Sequence, residues 1–256
     1  GITLNGNGGD DTLAGTNLTD TISGGTGNDD ITGNQGNDAL SGGAGDDQFT
    51  WNDDDGTDTV DGGADTDTPT INASNTNGDT FTITAGSGGR FLVSRTNLGT
   101  FNIDTGTVEA LELNTRGGND DVTIGDLSTV SDLSSIDLDG GADTDSLTIN
   151  STITDLTITF DAGGNQSLDL GVNPAIEHTN FESLTSNIDT NTLTFVLTSL
   201  ADNVTLQDTG SNNDDTSILT SNNGTFESTT FTSPNESFAL QTGGNDDIIT
   251  LETLDT

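Results

Sequence analysis

The sequence predicts an all-β protein, a parallel β-roll that continues into an elongated parallel β-helix or solenoid. Five nine-residue words stand back to back from Gly6 to Thr50, each with Asp at its sixth place and an apolar residue at its eighth. Further along, short stretches alternate apolar residues with outward Thr, which indicates strands. Helix signals are almost absent, since the chain has no Lys and no apolar residues at three- and four-residue spacing over three turns. Only 28% of residues are hydrophobic, which suits a narrow solenoid core better than a large globular one.

The five words place their acids in two rows. They read GNGGDDTLA, GTNLTDTIS, GGTGNDDIT, GNQGNDALS and GGAGDDQFT. A nine-residue half-coil puts successive words on opposite edges, so each Asp should lie beside the Asp eighteen residues later. The resulting rows are Asp11, Asp29 and Asp47 on one edge, and Asp20 and Asp38 on the other.

Stacked carboxylates at strand spacing repel by several kcal/mol unless a cation lies between them. Calcium prefers six to eight oxygen ligands, which carboxylates and the carbonyls of glycine-rich turns supply. The two rows therefore predict bound Ca2+.

These words resemble the calcium-binding nonapeptide repeats, GGxGxDxUx, of the repeats-in-toxin (hemolysin-type) family. The third word matches at every position, whereas the second departs because Thr16 and Leu18 replace glycines. The resemblance covers residues 6 to 50 and implies a right-handed parallel β-roll, secretion from bacteria and folding coupled to calcium.

Beyond residue 52 the repeat vocabulary continues at looser spacing. GGADTD occurs at 62–67 and again at 140–145, and the GNDD phrase of 27–30 returns at 118–121 and 244–247. This half resembles the Thr/Asn/Asp-rich β-solenoid repeats beside hemolysin-type words in very large bacterial surface proteins. We therefore predict a calcium-binding roll at 1–52 and an irregular solenoid with isolated calcium half-sites at 53–256, with a β-sandwich after the roll as the alternative. The residues predicted to bind calcium are Asp10, Asp11, Asp20, Asp29, Asp38, Asp46, Asp47, Asp67, Asp120, Asp145 and Asp246.

Composition restricts the partners and the location. The chain has 43 acids against three arginines and a formal charge of -40. Nucleic acid and anionic membranes are poor partners for such a surface. No apolar run is long enough to span a bilayer, so membrane insertion is not expected. The absence of Cys suits export from a bacterium, and we expect an extracellular, secreted or cell-surface protein.

The residues for catalysis are scarce. Cys, Lys and Tyr are missing, and His178, the one histidine, lies in neither a zinc-protease nor a serine-triad signature. We expect no enzyme and an exposed His178. Arg90 and Arg95 are expected to pair with Asp, and Trp51 to cover an open end of the roll.

The expected function is that of an extracellular calcium-binding structural or adhesive protein. The segment from Gly1 to Leu4 and the strand near 248–251 read as uncapped coils, which predicts head-to-tail assembly into a filament, surface layer or matrix. Glycans or cell-surface components are further possible partners. The alternative is a ligand-binding adhesin module that grips glycans through calcium or binds ice.

Overall fold

A computed structural model describes residues 1–171, 174–210 and 214–252. It is all-β, as predicted: the described residues form 23 strands in one connected sheet and a single 3-10 turn at Ser87–Gly89. The strands are β1 (Thr3–Gly8), β2 (Thr12–Ala14), β3 (Thr21–Thr26), β4 (Asp30–Thr32), β5 (Ala39–Ala44), β6 (Gln48–Asn52), β7 (Asp58–Ala64), β8 (Thr68–Asn72), β9 (Thr80–Ala85), β10 (Phe91–Arg95), β11 (Phe101–Gly106), β12 (Ala110–Asn114), β13 (Asp121–Ile124), β14 (Ser135–Asp139), β15 (Ser146–Phe160), β16 (Gln166–Asp169), β17 (Ala175–Thr179), β18 (Ser183–Val196), β19 (Asn203–Asp208), β20 (Thr216–Ser221), β21 (Ser228–Thr232), β22 (Ser237–Gln241) and β23 (Ile248–Leu251).

The first six strands form the roll predicted for residues 1–52, and β7 and β8 continue its two faces. β1, β3, β5 and β7 pair in parallel on one face, and β2, β4, β6 and β8 on the other. Asp20 and Asp38 meet at a separation of 18 residues, and Asp38 and Asp58 at 20. The predicted stacking of alternate words is therefore confirmed.

The parallel stacking continues through the rest of the chain. β11 extends the first face, while β12, β14 and β17 extend the second. A third face begins at β9 and continues through β13, β15, β18 and β21. This arrangement is a solenoid, not the alternative β-sandwich. The domain boundary at residue 52 stays a prediction, and residues 172–173, 211–213 and 253–256 of the second predicted domain lie outside the described part.

Antiparallel excursions lengthen three of the coils. They are the meanders β9–β10–β11, β15–β16–β17 and β19–β20–β21. Each leaves the parallel ladder, doubles back and rejoins it one coil later. Coil length consequently varies from 18 residues in the roll to 45 between Asp202 and Asp247.

The core is a set of inward columns one side chain wide. Phe81, Val122, Leu147 and Leu184 stack in register along the third face and are all buried. Backbone hydrogen bonds between coils supply the remaining cohesion, so a modest hydrophobic content suffices.

The expectation of an exposed His178 is wrong. It continues an inward column after Leu113 and Leu138, is 2% exposed, and packs edge-on against Phe181. Burial lowers the pKa of His178 to about 4, so the imidazole is neutral.

Trp51 does not cover an open end, because the solenoid continues past it. Its ring lies 3.9 Å from that of Phe101, and its indole N–H donates to the Gly56 carbonyl at 3.0 Å.

The expected arginine pairs are confirmed. Arg90 pairs with Asp104 at 2.6 Å, and Arg95 with Asp53 at 2.5 Å and Asp79 at 3.3 Å.

Candidate calcium sites

Four rows of acids run along the solenoid. Each acid lies at the first residue of a strand or one residue before it, so stacking the strands stacks the acids. The first row is Asp11, Asp29, Asp47, Asp67 and Glu109; the second is Asp20, Asp38 and Asp58; the third is Asp79, Asp120, Asp145 and Glu182; the fourth is Asp202 and Asp247.

One oxygen of each carboxylate after the first in its row is held by the neighbouring coil. The backbone N–H of Asp11 donates to Oδ1 of Asp29 at 2.8 Å, and the N–H of Asp29 donates to Oδ1 of Asp47 at 2.8 Å. The same contact links Asp20 to Asp38 at 2.7 Å. These bonds hold neighbouring carboxylates at the spacing of the strands.

The second oxygen has no such partner in half of the row members. Within the described residues, Oδ2 is buried and makes no hydrogen bond in Asp11, Asp29, Asp38, Asp47, Asp67, Asp120 and Asp145. A buried, unpaired carboxylate oxygen is costly, and proteins hold such oxygens on a metal or a paired charge. All seven belong to the set predicted from the sequence.

Glycine leaves open the space that these oxygens face. A methyl group at Gly6 would lie 2.5 Å from Oδ2 of Asp11 and 2.5 Å from the carbonyl oxygen of Gly24 in the next coil. At Gly33 it would lie 2.5 Å from Oδ2 of Asp38. A carboxylate and a carbonyl oxygen thus converge where only glycine fits. This all-oxygen donor set fits calcium.

The pKa values indicate the strain of uncompensated charge. Burial first, and then the neighbouring carboxylates, raise the pKa of Asp47 above its usual range. The same causes, with a backbone hydrogen bond opposing them, raise the pKa of Asp58 and of Asp67 to about 7. A bound cation would reverse this shift.

Asp20 differs from its neighbours in the rows. Its Oδ2 accepts from the backbone N–H of Thr16 at 2.5 Å and from the Thr16 hydroxyl at 2.9 Å, while Oδ1 accepts from the N–H of Ile2. The Thr16 backbone hydrogen bond is the main cause of a lowered pKa for Asp20. The word in which Thr16 replaces glycine therefore satisfies its carboxylate with protein donors.

Asp10 and Asp46 lie outside the rows, on the exposed surface. The N–H of Asn28 donates to Asp10 at 2.9 Å, and the N–H of Asp46 donates to Asn28 at 3.0 Å. These hydrogen bonds connect adjacent turns, and Asp10 and Asp46 each lie one residue before a row acid. Their calcium role stays a prediction.

The fourth row contains Asp247 and not Asp246. The N–H of Asp202 donates to Oδ1 of Asp247 at 2.9 Å, whereas Asp246 is exposed. Ile249 pairs with Val204, and Asp202 lies two residues before Val204. The acid in the corresponding position before Ile249 is Asp247.

Sequence reasoning missed six row members: Asp58, Asp79, Glu109, Glu182, Asp202 and Asp247. A usable signal exists for the glutamates, since Glu109 and Glu182 each precede a buried Leu by two residues, as the row aspartates precede their apolar residue.

Across the described ranges, no three side chains of His, Cys, Asp or Glu converge on one point. An ion in these rows would bind carboxylates from two coils together with backbone carbonyls. The assignment of individual ligands stays a prediction.

Residues 3–17 and 14–49 match the family model of the RTX calcium-binding nonapeptide repeat, in four copies. The chain therefore carries RTX repeats, as the sequence resemblance indicated, and Ca2+ is the ion that these motifs bind. Proteins with such repeats are typically secreted. A comparison with curated proteins gives no match. In the described part of the chain, no helix has the length and apolar character to cross a membrane.

Proposed function

We propose that this protein is an extracellular, calcium-locked β-solenoid with a structural or adhesive role that assembles head to tail. The observation that carries the proposal is the set of acid rows with buried, unpaired oxygens along the solenoid. Such rows stabilise the fold only when cations occupy them. Weak calcium sites fill in extracellular media, where calcium is millimolar, and stay empty at cytosolic levels.

The overall charge supports a calcium requirement. A formal charge of -40 opposes any compact state through self-repulsion. Bound divalent cations remove part of that charge where it is most concentrated. The same surface is suited to calcium bridges with anionic glycans.

Open edges support the assembly. Among the described strands, β22 pairs only with β18 and β23 only with β19, so each has one edge without a partner within that part of the chain. Ile248, Ile249 and Leu251 of β23 are 59%, 41% and 65% exposed. An unpaired edge strand with exposed apolar side chains is a template for pairing with a second chain.

Sedimentation and electron microscopy test this assembly in calcium and in chelator. We expect long particles at millimolar calcium, and single chains for Leu251→Lys. The matched control is Leu98→Lys, which places the same charge at an exposed Leu in the loop between β10 and β11. Dispersed single chains of the unaltered protein at millimolar calcium would contradict self-assembly.

A further inference from the structure

Two turns with the same sequence lie outside the region that the RTX family model covers. Each reads Asp-Gly-Gly-Ala-Asp-Thr-Asp, at 61–67 and at 139–145. Both use left-handed backbone at the same places, with φ of 121° and 83° at Gly63 and Asp65 and of 87° and 84° at the corresponding Gly141 and Asp143. The two turns are therefore copies in conformation as well as in sequence.

Both turns meet a glutamate, and not an aspartate, in the next coil. The N–H of Asp67 donates to Oε2 of Glu109 at 2.9 Å, and the N–H of Asp145 donates to Oε2 of Glu182 at 2.6 Å. The extra methylene distinguishes these contacts from the Asp-to-Asp contacts of the roll.

A carbonyl two residues before each glutamate completes the arrangement. A methyl group at Gly62 would lie 2.5 Å from Oδ2 of Asp67 and collide with the Thr107 carbonyl oxygen. At Gly140 the corresponding atoms are Oδ2 of Asp145, at 3.0 Å, and the Asn180 carbonyl oxygen.

The aspartate oxygens aimed into both places are buried and unpaired. Asp67 is 0% exposed and Asp145 is 1% exposed, and Oδ2 of each makes no hydrogen bond within the described chain. Two carboxylates and a carbonyl at each turn give an all-oxygen set for a hard divalent cation.

We infer that these turns are twin calcium sites, one formed by Asp67, Glu109 and the Thr107 carbonyl, the other by Asp145, Glu182 and the Asn180 carbonyl. The inference rests on the proposed calcium-dependent fold and extends it beyond the RTX repeats.

Their position gives them a specific role. The partners are 42 and 37 residues apart, and the chain between them contains the meanders β9–β10–β11 and β15–β16–β17. Each ion would clamp the base of a long excursion, where the loop-closure entropy opposes return to the parallel ladder.

The test counts bound calcium on the full chain by equilibrium dialysis. We expect Asp67→Asn and Asp145→Asn each to lose about one ion relative to the unaltered chain. Asp65→Asn and Asp143→Asn are matched controls, since they remove one charge from the same exposed turn and Asn tolerates left-handed backbone. They should bind the unaltered number.

Hydrogen exchange locates the loss. Asp67→Asn should lose calcium-dependent protection over 101–114 and keep it over 175–186, and Asp145→Asn should do the reverse. If an Asn variant fails to fold, Glu109→Gln and Glu182→Gln keep an accepting oxygen and remove the charge.

Unchanged calcium counts in both Asp variants, or equal losses in the controls, would overturn the twin sites. If Asp29→Asn lowers the count while Asp67→Asn and Asp145→Asn do not, the twin sites are wrong and the calcium-locked roll stands. An unaltered chain that binds no calcium would refute both.

Discussion

Asp47→Asn should stabilise the calcium-free fold and reduce the stabilisation gained from calcium. Asp47 lies in the middle of the first row, between Asp29 and Asp67. The amide oxygen of Asn keeps the hydrogen bond from the Asp29 N–H. The carboxylate charge is lost, and an N–H2 group replaces the buried oxygen that faces the site.

The spacing of neighbouring strands sets the magnitude. Carboxylates on neighbouring strands are about 4.8 Å apart, and at an effective dielectric constant near 20 each pair repels by about 3.5 kcal/mol. Protonation at pH 7 limits the cost of one charge to about 4 kcal/mol. Removing the charge of Asp47 should therefore stabilise the calcium-free fold by about 2 to 4 kcal/mol. The stabilisation gained from calcium should be smaller than in the unaltered chain, because the site loses a carboxylate ligand.

Circular dichroism measures both effects. A calcium titration gives the calcium concentration at the folding midpoint, and an osmolyte titration in chelator gives the stability of the calcium-free fold. Asp46→Asn is the control, because it removes an exposed charge next door and leaves the row intact. If Asp47→Asn destabilises the calcium-free chain, or if Asp46→Asn reduces the stabilisation gained from calcium equally, the repulsion argument fails.

Three further predictions follow from the same rows. Burial raises the pKa of Asp67 to about 7, so its protonation stabilises the calcium-free fold fully below about pH 4, and this contribution is lost as pH rises from about 4 to 7. Metal-stripped protein should therefore show more β signal at pH 5 than at pH 8. Calcium affinity should fall as pH falls from about 7 to about 4, because protons compete with calcium for the carboxylates, as isothermal titration will show. Gly33→Ala should weaken calcium binding severalfold in dialysis, because its methyl group fills the cradle, whereas Gly125→Ala has only ordinary contacts and should not. Thr16→Gly should free the carboxylate of Asp20 and add about one bound calcium; an unchanged count would refute this.

The roll could be predicted because its period is local. Nine residues fix both the edge and the phase, so the Asp11–Asp29 and Asp20–Asp38 contacts follow from counting along the sequence. Where the chain keeps that period, strand register and acid position are set by the same few residues.

Beyond Thr50, which strands pair with each other depends on the length of the segments inserted between them. No short sequence pattern reveals that length. Asp79 meets Asp120 only because a whole meander lies between them, 41 residues along the chain. In β23 it is Ile249, and not Ile248, that pairs with the buried Val204, which moves the row acid by one residue to Asp247.

The burial of His178 follows from the alternation of its strand. In β17, Ala175 and Glu177 point outward while Ile176 and His178 point inward, so alternation places the imidazole in the core. The alternation of side chains between the two faces of a strand predicts this burial better than residue type does.

The most direct test is a calcium titration of the metal-stripped full chain by far-ultraviolet circular dichroism at pH 7 and constant ionic strength, with magnesium as the control. Magnesium is smaller and gives up its water reluctantly, so it should substitute poorly. We expect a cooperative gain of β-sheet signal at millimolar calcium and little gain with magnesium. A full β-sheet spectrum in calcium-free buffer, unchanged by calcium, would contradict this expectation.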